Sequence, residues 1–240
     1  MINSSRFLKV TLTIGLLVLS FYLLCGGLWR PIYVRIIGEK TVADIVSQYG
    51  PSSMKRLLPL LKKAGFSSYP ERIAILAFKD ERILEVWGYQ NGKWIFIRKY
   101  PFTGYSGQLG PKLKNGDRQI PEGVYPLIFL NPNSQFHLSI QIGYPNSFDK
   151  LMAMEDQRSD LGGDIFIHGN SLSIGCIPVG DEAIEDLFIL VEAVGLAMSQ
   201  AIVSPRDFRT KKEFPGIHSI VWEEQLYNKL AQELAVFKEK

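Results

Sequence analysis

Asp164-Ile165-Phe166-Ile167-His168-Gly169-Asn170-Ser171-Leu172-Ser173-Ile174-Gly175-Cys176-Ile177 is the stretch on which the reading of this chain turns. The apolar run Ile165 to Ile167 has the character of a buried strand, and it delivers His168 to a Gly-Asn break. Eight positions after the histidine comes Cys176, preceded by Ser173-Ile174-Gly175. Cys25 lies in a hydrophobic N-terminal run, so Cys176 is the one thiol of the globular part. The histidines are His137, His168 and His218. A lone cysteine is commonly a small buried hydrophobe, inert and structural. Here the surroundings favour chemistry. Gly175 allows close backbone approach and lets neighbouring N–H groups converge on one point. A thiol attacks as its thiolate and needs a base, and His168 at a strand end is placed to be one.

The pattern His168-Gly169, then Ser173-x-Gly175-Cys176-Ile177, resembles the signature of the L,D-transpeptidase (YkuD-type) catalytic domain family. The short histidine-to-cysteine spacing resembles its YafK-like branch. The likeness continues upstream through Ser106 to Lys112, Gly116 to Tyr125, Asn131 to Ser134, Phe136 to Ile140 and Tyr144 to Asp149, spanning residues 72 to 210 in order. Two departures stand out. The loop between His168 and Cys176 is shorter than in most of the family, and Pro178 replaces an arginine often found two places after the cysteine.

The resemblance implies a mainly β fold with flanking helices, a YkuD-type β-sandwich, acting on peptidoglycan stem peptides. It makes Cys176 the nucleophile and His168 the general base and acid. Gly175 would serve the oxyanion hole, with Ser173 and Gly169 supporting the loop. Substrate-binding candidates are Lys112, Tyr144, Asn146 and Arg206, with Arg209 beside the last as another substitute for the absent arginine. The expected reaction is a transpeptidation through a Cys176 thioester. One alternative is an amidase of the same fold that releases wall-linked lipoprotein; another is a noncatalytic wall-binding protein.

Composition fits a globular protein. Of 240 residues, 46% are hydrophobic and the net charge is +3, without the basic stripe of a nucleic-acid binder. One cysteine, one nearby histidine and no clustered carboxylates make a poor zinc site, and no cofactor is expected. At the N-terminus, Arg6 and Lys9 precede an uncharged run from Val10 to Trp29, which as a helix spans about 30 Å. Residues 1–30 therefore read as a signal-anchor, or as a signal peptide cleaved near Gly27. Either reading puts the catalytic part on the outer, periplasmic side of the cytoplasmic membrane.

Residues 31–70 read as a helical appendage. Its first helix starts at Thr41-Val42-Ala43-Asp44 and stops near Gly50-Pro51; a second runs from Ser53 to Ala64, interrupted at Pro59 and ended by Gly65. In the domain at 71–210, Ile73 to Phe78, Arg82 to Gly88 and Trp94 to Tyr100 form a β-meander turning at Asp80-Glu81 and Asn91-Gly92. Pro101 to Gly116 is a long glycine-rich loop of the kind that carries function. Gly123 is expected to adopt an unusual backbone angle, with Glu122 a turn carboxylate. Phe136 to Ile142 alternates as a strand, placing His137 on the face opposite Phe136. Asp181 is expected to cap a helix burying Ile184, Leu187, Phe188 and Val191, and Ala201 to Val203 to form the last core strand. Residues 211–240 read as a peripheral amphipathic helix.

Overall fold

The computed structural model describes residues 13–17, 20–21, 38–216 and 220–238. It divides into two compact units, Met1–Thr41 and Val42–Lys240. In the first, the described positions 13–17 and 20–21 are helical. Most of the expected anchor over 10–29 lies outside the described residues. Among the described residues, no helix is long and apolar enough to cross a membrane.

The second unit is built on eight strands: β1 (Arg72–Phe78), β2 (Ile83–Gln90), β3 (Lys93–Pro101), β4 (Gly123–Asn131), β5 (Ser139–Ile142), β6 (Phe166–His168), β7 (Ile177–Pro178) and β8 (Ser199–Ser204). They join in a single sheet of order β3-β2-β1-β8-β4-β5-β6-β7. The expected sandwich of two sheets is thus one continuous sheet with β4 as its hinge. The first half of β4 pairs antiparallel with β8 and the second half with β5, across a register shift between Leu127 and Phe129. A bulge of this kind bends the strand, letting one strand serve two directions.

The β-meander forms as its sequence suggests. Asn91 and Gly92 both take positive φ, 52° and 78°, as a two-residue hairpin turn requires. Strand β1 is buried along nearly its whole length because helices cover both sheet faces. Ile73, Ile75 and Ala77 join one apolar cluster, while Ala74, Leu76 and Phe78 join the other. The first cluster packs beneath helices α1 (Val42–Lys63) and α3 (Asp181–Val194). The second is closed by α4 (Glu223–Leu234). A shorter helix, α2 (Ser147–Glu155), follows β5.

Several local expectations change. The two appendage helices are one, since α1 runs through both Pro51 and Pro59. Gly50 removes the Cβ that would clash with a following proline, and burial of Ile45, Leu57 and Leu61 outweighs the lost hydrogen bonds. Gly65, at φ +91°, does end the helix, with Phe66 N–H reaching back to Leu61 C=O at 2.9 Å. The strand expected from Phe136 starts only at Ser139, because His137 takes φ +72° and turns the chain. Gly123 has no positive φ; it is needed because a Cβ there would come within 2.6 Å of the Tyr125 hydroxyl. Asp181 is the first residue of α3 and Gly180, at φ +82°, precedes it as the cap, without a side-chain capping bond. The C-terminal helix is not peripheral: Trp222, Leu226, Tyr227, Leu230, Leu234 and Phe237 are all buried in the second cluster.

Candidate active site

Strands β6 and β7 run parallel, pairing His168 with Pro178 and Ile167 with Ile177. This register returns the chain beside the histidine immediately after Cys176. His168 is held on both sides: Val179 N–H donates to its carbonyl at 2.9 Å, and β5 pairs Ser139 with it. The ring is 1% exposed. Its Nδ1 lies 2.6 Å from Gly169 C=O. A carbonyl can only accept, so Nδ1 carries the hydrogen and Nε2 keeps a free lone pair. Burial depresses the imidazole pKa, with the Gly169 carbonyl opposing, which favours the neutral ring.

Cys176 is half-buried and its Sγ points to Asp164 C=O at 3.8 Å. Burial pushes the thiol pKa up; the Phe166 N–H lowers it, Asp164 raises it and the Lys112 charge lowers it. The resting thiol is therefore protonated at neutral pH and depends on a base to react. Among the described residues it makes no hydrogen bond to His168.

The loop between them is braced from outside. Ser173 Oγ donates to Cys176 C=O at 2.8 Å, so the Ser106 hydroxyl, 2.8 Å away, must donate to Ser173. Gly175 N–H reaches the same Ser173 oxygen at 3.3 Å. Gly175 sits at φ +130°, and a Cβ there would stand 3.2 Å from Gln119 C=O. Gly169 is equally confined, its missing Cβ falling 2.5 Å from Asp181 Oδ1. That carboxylate accepts the Asn170 N–H at 2.7 Å. The long loop after β3 lies across the cysteine loop as a strap. Thr103 donates its N–H to Pro178 C=O and its hydroxyl to Asn170 C=O, at 2.9 and 2.5 Å. Gly104 approaches so closely that a Cβ would overlap Ser171 O.

The candidate substrate groups are placed differently. Lys112 is buried and donates to Asp117 Oδ1 at 2.6 Å and Lys114 C=O at 2.9 Å, while its charge reaches Cys176. Tyr144 is buried and donates to Leu161 C=O at 3.1 Å. Asn146 caps α2 in a reciprocal box with Asp149. Arg206 meets Glu213 C=O and Asp80, and Arg209 pairs with Asp207 and Glu85; none of these contacts touches the cysteine loop. Arg209 also lines a cavity of about 570 Å³, with Glu85, Phe237 and Lys238, that includes neither Cys176 nor His168. His137 bonds Glu185 Oε1 at 2.9 Å. His218 lies outside the described residues.

Sequence reasoning missed three contributors. Phe136 stacks on the His168 ring, centroids 4.6 Å apart at 29°. Asp117 gathers the N–H groups of Leu113, Lys114 and Gln119 and the Lys112 ammonium around one carboxylate. Glu122, taken for a turn carboxylate, is fully buried against Lys79 at 2.8 Å. The Gly-Asp pair at 116–117 hinted at the second; nothing local in the sequence announces the other two.

The YkuD family, described as the L,D-transpeptidase catalytic domain, matches residues 72–203. This chain belongs to that family. The YkuD match runs from β1 to β8 and contains His168, Cys176 and the strap. YafK of Escherichia coli (strain K12), a protein named only provisionally as an L,D-transpeptidase, is 34% identical over 121 residues, 50% of this chain and 47% of its own length. The chain thus spans about half the length of the curated relatives it matches. Among solved structures, the helical cell shape determining protein Pgp2 from Campylobacter jejuni gives a TM-score of 0.47 at 20% identity, covering 75% of this chain and 77% of that one. Bd1075 of Bdellovibrio bacteriovorus gives 0.43 at 20% identity, over 70% of this chain and 58% of its own.

Proposed function

We propose that this YkuD domain is a cysteine-dependent peptidoglycan L,D-transpeptidase that works through a Cys176 thioester on stem peptides. The observation that carries the reading is the pairing of β6 with β7, which sets His168, its Nδ1 held by the Gly169 carbonyl, opposite Pro178, two residues after a Cys176 whose thiol is protonated at rest. Nε2 takes the Sγ proton, and the thiolate adds to the carbonyl carbon of a stem-peptide bond. The negative oxygen so formed is held by backbone N–H groups of Cys176 and Gly175, the latter exchanging its long Ser173 contact for the oxyanion. The C–N bond then breaks, and the imidazolium returns its proton to the leaving amine. An acceptor amine attacks the thioester, gives its proton to His168, and the sulfur departs to recover that proton. Water in place of the amine gives hydrolysis with the same residues. With the N-terminal segment as an export signal or anchor, the reaction takes place at the periplasmic face of the cytoplasmic membrane.

The test incubates the full-length chain with purified peptidoglycan, with and without bound lipoprotein, beside a Cys176→Ala control. Muropeptides are then resolved by mass spectrometry. New L,D cross-links or amine exchange absent from the control support the proposal. Cysteine-dependent release of lipoprotein remnants without new links makes the protein an amidase instead. Identical products from both chains on every substrate would leave a noncatalytic wall-binding protein.

A further inference from the structure

Gly169 fixes one nitrogen of His168, but a single hydrogen bond does not fix the plane of an imidazole. The ring lies against the Phe136 face at 4.6 Å and 29°, a geometry that holds the plane and screens it from water. Phe136 is not placed there by a strand, since β5 starts three residues later. It sits in a turn held by His137, whose φ of +72° is uncommon for a residue with a side chain. His137 Nε2 lies 2.9 Å from Glu185 Oε1 on α3, and its ring meets Tyr49 of α1 edge-on at 5.2 Å. Glu185 Oε2 in turn accepts from Arg56 of α1 at 3.1 Å. The turn also abuts the histidine's own loop: a Cβ on Gly169 would fall 2.7 Å from Phe136 O and 3.1 Å from His137 Cβ.

We propose that Phe136 is a positioning residue for His168, and that the Glu185–His137 contact, backed by helix α1, holds Phe136 against the imidazole. This rests on the base role proposed for His168. Through the stack, a helix that reads as an appendage reaches the reacting histidine. The ionisable groups around the Glu185–His137 contact are Asp181, Glu182 and Asp186 on α3, and Tyr49 and Arg56 on α1. Glu185→Gln removes the carboxylate charge while keeping an acceptor.

The experiment uses the full-length chain and two substrate-independent readouts. Iodoacetamide alkylation of Cys176 is followed by peptide mass spectrometry across about pH 5 to 9. The His168 Cε1–H resonance is titrated by NMR and assigned with a His168→Gln variant. Phe136→Leu should move that resonance downfield as the ring current is lost, raise its titration midpoint, and slow alkylation at neutral pH by at least about five-fold. Phe136→Tyr, which restores an aromatic face, should match wild type in both. Glu185→Gln should shift both readouts in the direction of the leucine variant, and it carries the test alone if that variant does not fold. An unchanged resonance with alkylation within about two-fold of wild type, in folded Phe136→Leu or otherwise in Glu185→Gln, overturns the proposal. Because neither readout needs substrate, an inactive peptidoglycan assay refutes the function above without deciding this question.

Discussion

Replacing Lys79 by methionine should be among the most damaging single changes in the protein, although Lys79 lies in the turn just past β1 and its hydrogen bonds reach neither His168 nor Cys176. Its ammonium is fully buried, and all three hydrogens are used: on Gly110 C=O at 2.7 Å, Ile120 C=O at 3.0 Å and Glu122 Oε1 at 2.8 Å. Burial pulls the Lys79 pKa down, and Glu122 opposes that pull. Methionine fills the volume and supplies no donor. Glu122 would keep only the Gly110 N–H at 2.8 Å and the Tyr227 hydroxyl at 2.9 Å, while two carbonyls lose their partner. Removing one member of a buried pair costs about 3–5 kcal/mol. At about 2–4 °C per kcal/mol for a domain of this size, Tm should fall by roughly 6–20 °C. Thermal and urea unfolding of wild type, Lys79→Met, Glu122→Gln and the double variant measure this as a cycle. The double variant should recover about 2 kcal/mol or more, because the amide left behind carries no charge. A Lys79→Met loss below about 1 kcal/mol, or a strictly additive cycle, would refute the reasoning. Activity should fall too, since the Gly110–Ile120 segment that the pair clamps places Gln119 C=O behind Gly175.

Further consequences can be measured separately. Gly104→Ala puts a methyl group where Ser171 O already lies, so cysteine-dependent activity should drop at least about ten-fold while the far-UV spectrum stays native. Removing the Ser173 hydroxyl (Ser173→Ala) frees Cys176 C=O and Ser106; urea unfolding should show about 1 kcal/mol lost, with a larger fall in kcat than in KM. Asp149 is buried enough to raise its carboxyl pKa to about 6, against the pull of the Asn146 N–H and Tyr125 hydroxyl. A raised folded pKa contributes stability that is full below about pH 4 and is lost as pH rises through about 6, worth up to about 3 kcal/mol. Relative to wild type, Asp149→Asn should therefore gain stability over that window, and a parallel pH profile in the two proteins would contradict the assignment.

The sequence by itself determined the parts whose cause is local. Alternating and continuous apolar runs marked the β-meander and the strand into His168, Asn91-Gly92 marked its hairpin, and Gly65 marked the end of α1. The His168-Gly169 and Ser173-x-Gly175-Cys176 motifs located the candidate site, with one short loop between the histidine at the end of β6 and the cysteine. Tertiary structure alone decided whatever depends on partners distant in the chain. Pro51 and Pro59 read as breaks, but packing against α3 carries one helix through both. Lys112 and Asn146 read as groups free to meet substrate, yet Asp117 engages the first and the α2 cap the second. Glu122 reads as a turn carboxylate and Phe136 as the first residue of an alternating strand. Their weight comes from Lys79, 43 positions earlier, and from His168 on another strand. Local pattern records hydrophobic period and backbone permission, whereas a buried charge or a stacked ring is specified by the element it meets, and only the folded sheet brings those elements together.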